Sequence, residues 1–126
     1  MGDDEMISVF NPPKQMTTDQ KIRHIANHYG FESQSRQLME ECGELTQAVN
    51  KMWRATKAVT HDPKQAMAVI EAENNLVEEI ADVSIMIIQI QEMLGIGYER
   101  ITEKIEFKLD REITKINKEQ GGMIHD

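Results

Sequence analysis

Apolar side chains recur in this chain at alternating intervals of four and three residues. Two such series stand out, namely Leu38, Cys42, Leu45, Val49 and Met52, and then Leu76, Ile80, Val83, Ile87, Ile90 and Leu94. This spacing places each series on one face of an α-helix, whereas a strand would show alternation at every second residue. No segment alternates in that way over more than a few residues. The sequence therefore predicts an all-α fold, an antiparallel bundle of four to five helices.

Turn and capping residues predict where the helices begin and end. The predicted helices cover Asp19–His28, about Ser33–Lys57, a segment that ends before Gly95, and about Tyr98–Glu119. Asp62-Pro63 is typical of a helix start, since proline is tolerated at the first helical position, but Asn74-Asn75 would either interrupt the third helix or lie within it. Gly121-Gly122 is predicted to end the last helix. Residues 1–17 are predicted to form an N-terminal arm, and residues 120–126 a flexible tail.

Length and charge limit the functions open to the chain. With 126 residues, it is predicted to form one domain, residues 1–126. Its 14 basic and 22 acidic residues give a net charge of −8, which disfavours binding to a nucleic acid polymer. No apolar run approaches the roughly 18 residues that a membrane span requires. A single cysteine, Cys42, and an N-terminus without a secretory signal predict a cytoplasmic protein.

A short acidic motif occurs twice, once on the second and once on the third predicted helix. Leu38-Met39-Glu40-Glu41-Cys42-Gly43-Glu44 and Leu76-Val77-Glu78-Glu79-Ile80-Ala81-Asp82 share the pattern Leu-x-Glu-Glu-x-small-acid. At about 100° per residue, the second glutamate and the last acid of each copy lie on the same flank of the apolar face. If the two helices pack antiparallel, these flanks meet on one side. The pattern therefore predicts that Glu41, Glu44, Glu79 and Asp82 converge.

Four converging carboxylates repel one another unless a cation or protons neutralise them. An all-oxygen ligand set selects a hard ion, which favours Mg²⁺, with Mn²⁺ as a substitute. The alternative is a solvated acidic face, which runs of charge usually form. The repeated phase of the two motifs favours the metal site, as does Gly43, because a glycine inside a helix often marks the close approach of a ligand or backbone. A di-iron site is disfavoured, since none of these glutamates is followed by histidine three residues later.

The two motifs together resemble the signature of a known enzyme family. Leu38-x-Glu40-Glu41-x-Gly43-Glu44-Leu45 and Glu78-Glu79-x-Ala81-Asp82-Val83 are similar to the paired Glu-x-x-Glu and Glu-x-x-Asp motifs of MazG-type all-α nucleoside triphosphate pyrophosphohydrolases. That superfamily includes dimeric dUTPases and dCTP pyrophosphatases. The resemblance spans about Phe31–Arg111 and implies Mg²⁺-dependent hydrolysis of an NTP or dNTP to the monophosphate and pyrophosphate, in nucleotide-pool house-cleaning. The long interval between the motifs departs from the family and suggests an extended connection or an extra turn.

The resemblance also implies roles for single residues. Glu41, Glu44, Glu79 and Asp82 would hold the metal, and Glu40 or Glu41 would orient or deprotonate the attacking water. Candidate phosphate-binding residues are Lys51, Lys104, Lys108 and Arg111, although the family has asparagine at the position of Lys108, and ordinary exposed helix cations are the alternative. Independently of the resemblance, Gln34 and Gln37 precede Glu41 on the same flank, so their amides would contact the edge of the base, or they would simply be exposed on their helix.

A bundle this small is expected to complete its core by self-association, as a homodimer or homotetramer. Cys42 and Trp53 are interpreted as packing residues of that bundle. A different class of function stays open, in which the chain is a non-catalytic acidic helical module that binds a basic partner or serves regulation. Cation binding measured by calorimetry and an assay for pyrophosphate release would distinguish the two.

Overall fold

In a computed structural model, residues 15–58 and 61–125 are described, and they form four α-helices and no strand. The helices are α1 (Thr18–Tyr29), α2 (Phe31–Lys57), α3 (Pro63–Leu94) and α4 (Tyr98–His125). The all-α prediction is confirmed. Residues 1–14 of the predicted N-terminal arm lie outside the described residues. None of the helices in the described ranges combines the length and apolarity needed to cross a bilayer.

The first two helices follow each other directly because of their capping residues. Thr17 caps α1, since its hydroxyl accepts from the backbone N–H of Gln20 at 3.2 Å, and the Gln20 side chain accepts from the backbone N–H of Thr17 at 2.9 Å. Gly30 has φ 85°, a backbone conformation that glycine adopts without steric cost. The chain turns at this one residue, so α2 begins two residues earlier than predicted.

Helix α3 begins at Pro63, as the sequence predicts. The Asp62 carboxylate accepts from the backbone N–H of Lys64 at 3.0 Å and so satisfies one free donor of the first turn. Asn74-Asn75 lies within an uninterrupted helix. The long interval between the two acidic motifs is therefore filled by the extra length of α2 and α3.

The predicted end of the last helix is wrong. Helix α4 continues through Gly121-Gly122 to His125, so most of the predicted tail, residues 120–126, is helical. Glycine lowers helix stability by about 1 kcal/mol relative to alanine, but it keeps its backbone N–H and, unlike proline, causes no clash with the preceding turn. Two glycines therefore weaken a helix without ending it.

The chain divides into two compact units, one up to Met93 and one from Leu94; the prediction of a single domain stays a prediction. In the first unit, α2 and α3 run antiparallel. Gln34, near the start of α2, donates to the side chain of Gln89, near the end of α3. At the other end of the pair, the Gln65 amide donates to the backbone oxygen of Ala55 at 2.7 Å. The antiparallel arrangement predicted from the sequence is confirmed.

The faces that α2 and α3 bury differ from the predicted ones. The buried or half-buried positions that continue a spacing of four and three are Gln34, Leu38, Glu41, Leu45, Ala48, Met52 and Ala55 on α2, and Ala72, Leu76, Glu79, Val83, Met86, Ile90 and Met93 on α3, and the buried Gln89 lies beside this row. We call these two rows the seam. The seam keeps the spacing of four and three, but on both helices it is rotated by about 50° toward the acidic flank.

This rotation follows from two small residues that the apolar series did not include. Ala48 and Ala72 are each only 1% exposed, and their size allows the two helix backbones to approach closely. Residues of the predicted apolar face are left exposed on both helices, for example Val49 on α2 and Ile87 on α3. Cys42, interpreted from the sequence as a packing residue, is likewise exposed.

Candidate metal centre

Carboxylates from the two acidic motifs meet across the seam. One oxygen each of Glu41, Glu79 and Asp82 lies within 4.8 Å of the other two. Glu41 and Glu79 are half-buried in the seam, and Asp82 is exposed at its edge. The sequence predicts these acids at the flank of the interface. Because the two helices are rotated, Glu41 and Glu79 instead lie inside the interface.

Two oxygens of this cluster have no protein partner. Glu41 Oε1 accepts from Gln37 Nε2 at 2.8 Å. The other oxygen of Glu41 and Oε2 of Glu79 are buried, and within the described part of the chain neither accepts a hydrogen bond. A buried carboxylate oxygen without a partner is costly, and a cation would remove that cost.

Glu44 lies beside the cluster and interacts with two of its members. The pKa of Glu44 is raised above the ordinary value of 4.5, first because a protonated Glu44 can donate a hydrogen bond to the nearby Glu41 carboxylate and then because of the charges of Glu41 and Glu79. The pKa of Glu79 is raised first by partial burial and then by the charges of Glu41 and Asp82, while a hydrogen bond from Glu44, which exists only when Glu44 is protonated, acts in the opposite direction. Glu44 and Glu79 therefore hold protons more tightly than isolated carboxylates would, and a cation would compete with these protons.

The donor set fits a hard divalent cation. All the converging atoms are carboxylate oxygens, and within residues 15–58 and 61–125 neither histidine nor cysteine contributes to this group. Oxygen-only coordination suits Mg²⁺ and Mn²⁺, whereas zinc favours nitrogen and sulfur ligands. Glu41, Glu79 and Asp82 would hold such an ion, with Glu44 next to them.

Residues 30–116 match the family model of the MazG nucleotide pyrophosphohydrolase domain. The chain belongs to this family. The match covers more than half of the 126 residues and includes both acidic motifs, so the resemblance found from the sequence is confirmed. Proteins of the family act on nucleotides and in general depend on divalent metals. The comparisons with curated proteins and with solved structures returned no match.

A shallow depression of about 500 Å³ adjoins the acidic cluster of this MazG domain. It is lined by Tyr29, Glu32, Ser33, Arg36, Gln37 and Glu40. Glu40 is exposed there, whereas Gln37 is half-buried because its amide is bonded to Glu41. Gln34 is buried and bonded to Gln89. Both glutamines that the sequence suggests for base recognition are thus engaged with other side chains.

A second depression, of about 590 Å³, lies further along α2 of the MazG domain. Its lining residues are Gln47, Asn50, Lys51, Trp53 and Arg54. Lys51 is exposed and lies two helical turns beyond Glu44. Trp53, interpreted from the sequence as a packing residue, is 57% exposed, and the Lys57 ammonium lies 4.2 Å from the centre of its ring.

The other predicted phosphate-binding residues belong to the second compact unit. Lys104, Lys108 and Arg111 are exposed on α4, and none of them forms an ion pair with a carboxylate of the described residues. Their charges are therefore not neutralised by neighbouring glutamates on the same helix.

One feature of the site was missed in the sequence. This feature is Gln89, although a glutamine directly after the apolar run Ile85–Ile88 is a signal for a buried polar contact. A Cβ built at Gly43 meets no atom of the described chain within 4 Å, so no other backbone segment of the described residues approaches it, and a close approach by a ligand stays a prediction.

Proposed function

We propose that this MazG domain hydrolyses a nucleoside triphosphate, or its deoxy form, to the monophosphate and pyrophosphate in a reaction that requires Mg²⁺. Its metal ligands are Glu41, Glu44, Glu79 and Asp82. The proposal rests on one observation, the two buried carboxylate oxygens without partners in a cluster of three carboxylates. Such a cluster is costly for the folded chain unless a cation binds it.

In the proposed reaction, the oxygen of a water attacks the α-phosphorus and the bond from that phosphorus to the bridging oxygen breaks. A divalent ion bound by the acids would neutralise part of the charge of the phosphates. Glu40 accepts the proton of the water, because its carboxylate is exposed beside the cluster, whereas Glu41 is held by Gln37 and the seam. Pyrophosphate then leaves.

Cationic side chains would bind the triphosphate. We assign this role to Lys51, Lys104, Lys108 and Arg111, since guanidinium and ammonium groups form charge-assisted hydrogen bonds to phosphate. A role of Gln34 and Gln37 at the base edge also stays a prediction. So do cytoplasmic location, house-cleaning of the nucleotide pool and the lack of a nucleic acid or membrane partner.

Removal of a single ligand charge tests the proposal. Glu44→Gln and Asp82→Asn should each abolish Mg²⁺-dependent pyrophosphate release, measured across common and modified nucleotides, while circular dichroism shows unchanged helicity. Glu73→Gln makes the same charge change at an exposed position of α3 and serves as the control. Full activity of both ligand variants would contradict the proposed site. A parent protein that neither binds Mg²⁺ nor releases pyrophosphate would favour the acidic interaction module instead.

A further inference from the structure

We propose that Gln34 and Gln89 are positioning residues that fix the register between α2 and α3 and so bring the two acidic motifs to the same level. This inference rests on the proposed function, because the register matters to the reaction through the metal cluster. The observation behind it is a hydrogen bond between two buried amides in a very small core.

The environment of this pair is unusual for a polar contact. Gln34 is 6% exposed and Gln89 only 1%, which makes Gln89 the largest completely buried side chain among the described residues. The buried apolar residues in the described part of the first unit are few: Ile22, Ala26, Ala48, Ala72, Val83 and Met86. A buried amide that loses its partner is strongly unfavourable, so the pair penalises any arrangement that separates the two side chains.

Apolar packing alone does not select the register of these helices. The seam repeats every seven residues, so Leu38 is followed by Leu45 and Met52, and Leu76 by Val83 and Ile90. A slip of seven residues would again bring apolar rows together. Repulsion between Glu41 and Glu79 works against the observed register, because a slip would separate their charges.

A buried polar pair removes this ambiguity, as a single buried asparagine does in a coiled coil. Among the described residues, Gln34–Gln89 is the only hydrogen bond between side chains of α2 and α3 that does not require a protonated carboxyl group. The contact of Gln65 with Ala55 holds the opposite end of the helix pair, through a backbone oxygen.

The glutamine pair also lies close enough to the acids to determine whether the acids of α2 and α3 stand at the same level. Glu41 follows Gln34 by seven residues, and Asp82 precedes Gln89 by seven, so the pair lies two helical turns from the cluster on both helices. A slip of one heptad would displace the helices by about 10 Å, about twice the 4.8 Å within which the three oxygens now lie. The cluster therefore exists only in the register that the glutamines select.

The decisive variant replaces both amides by apolar side chains of similar size, Gln34→Met with Gln89→Met. Each single variant should unfold at a lower temperature, because it leaves one buried amide unpaired. The double variant should recover thermal stability and still bind Mn²⁺ about tenfold more weakly or worse in calorimetry, as changes in the support of metal ligands do. Gln91→Met, on the same helix, is the control and should bind Mn²⁺ as the parent does.

Two outcomes would overturn the inference. A stable double variant with parental Mn²⁺ affinity and kcat would mean that the pair contributes to stability alone. A double variant whose preference among nucleotides changes while its Mn²⁺ affinity stays parental would mean that Gln34 acts on the base.

A distance measurement separates this inference from the proposed function. Spin labels at Ser33→Cys and Glu71→Cys, both exposed, in a Cys42→Ser background and diluted with unlabelled protein, lie about 28 Å apart along the helix axes. The double variant should broaden or shift this distance by up to about 10 Å. An unchanged distance would overturn the register inference even if the parent binds no metal, whereas a shifted distance would support it in that case too.

Discussion

The carboxyl groups of Glu44 and Glu79 bind protons more tightly than ordinary glutamates do, and this affects stability. Because the folded pKa of each is raised, the folded state holds protons that the unfolded chain releases. Without metal, the stability that these two groups contribute should therefore be fully present below pH 4.5, their ordinary pKa, and should be lost as the pH rises through the raised pKa values. Unfolding curves of the parent and of Glu44→Gln should diverge over this interval, with the parent losing more stability.

Divalent cations should reverse this pH dependence. Mg²⁺ binds the ionised carboxylates, so it should stabilise the parent most at neutral pH and lose affinity as the pH falls through the raised pKa values. A parent whose stability relative to Glu44→Gln rises with pH in the absence of metal would contradict this account.

Gln37 supports the cluster from one turn away. Its amide donates to Glu41 at 2.8 Å, which fixes the orientation of this carboxylate. We expect Gln37→Leu to weaken Mn²⁺ binding and to lower kcat/KM by about tenfold, with little change in helicity. Calorimetry and steady-state kinetics on this variant and on Gln91→Leu would test this. Unchanged Mn²⁺ affinity combined with altered preference among bases would instead support the predicted role of Gln37 at the base edge.

At the scale of elements, the sequence predicted the helices and the meeting of the acidic motifs, but not the rotation of the helices. The period of the large apolar residues is sufficient to predict helix type and, with the repeated motif, which flanks face each other. It does not distinguish side chains buried within one chain from those exposed for another contact, such as Val49 and Ile87. Ala48 and Ala72 decide the rotation because they permit close approach, and small residues contribute little to an apolar period.

The two alanines therefore make the seam sensitive to side-chain size. Ala48→Leu or Ala72→Leu would force the helices apart, and overpacking of this kind costs about 1–3 kcal/mol of unfolding free energy. The same change should weaken Mn²⁺ binding, since Glu41 and Glu79 lie on the same face of the seam. Ala68→Leu, at an exposed position of α3, provides the matched control. Chemical unfolding and calorimetry that show no difference between Ala72→Leu and Ala68→Leu would contradict the close approach.

At the scale of the whole molecule, the described residues bury few apolar side chains and leave many exposed, and this contrast bears on how the chain associates. Ile80, Ile87 and Leu94 form an uncovered row on α3, each at least 45% exposed. In the second unit, Ile105, Leu109, Ile113 and Ile116 are similarly exposed along α4. Isolated exposed apolar residues are ordinary, but rows of them mark surfaces that bind another protein. These rows fit a second copy of the chain, because they repeat the spacing by which α2 and α3 already pack.

Association should therefore depend on the exposed row of α3. Sedimentation at micromolar concentration should show a dimer or tetramer of the 14.5 kDa chain, as the sequence predicts. Ile87→Glu should shift it toward the monomer, because burying an unpaired charge at an interface is costly. Met67→Glu makes the same change on the opposite face of α3, where it is 56% exposed, and should leave the assembly intact. A parent that sediments as a single chain would contradict this prediction, and equal effects of the two substitutions would place the contact elsewhere on the surface.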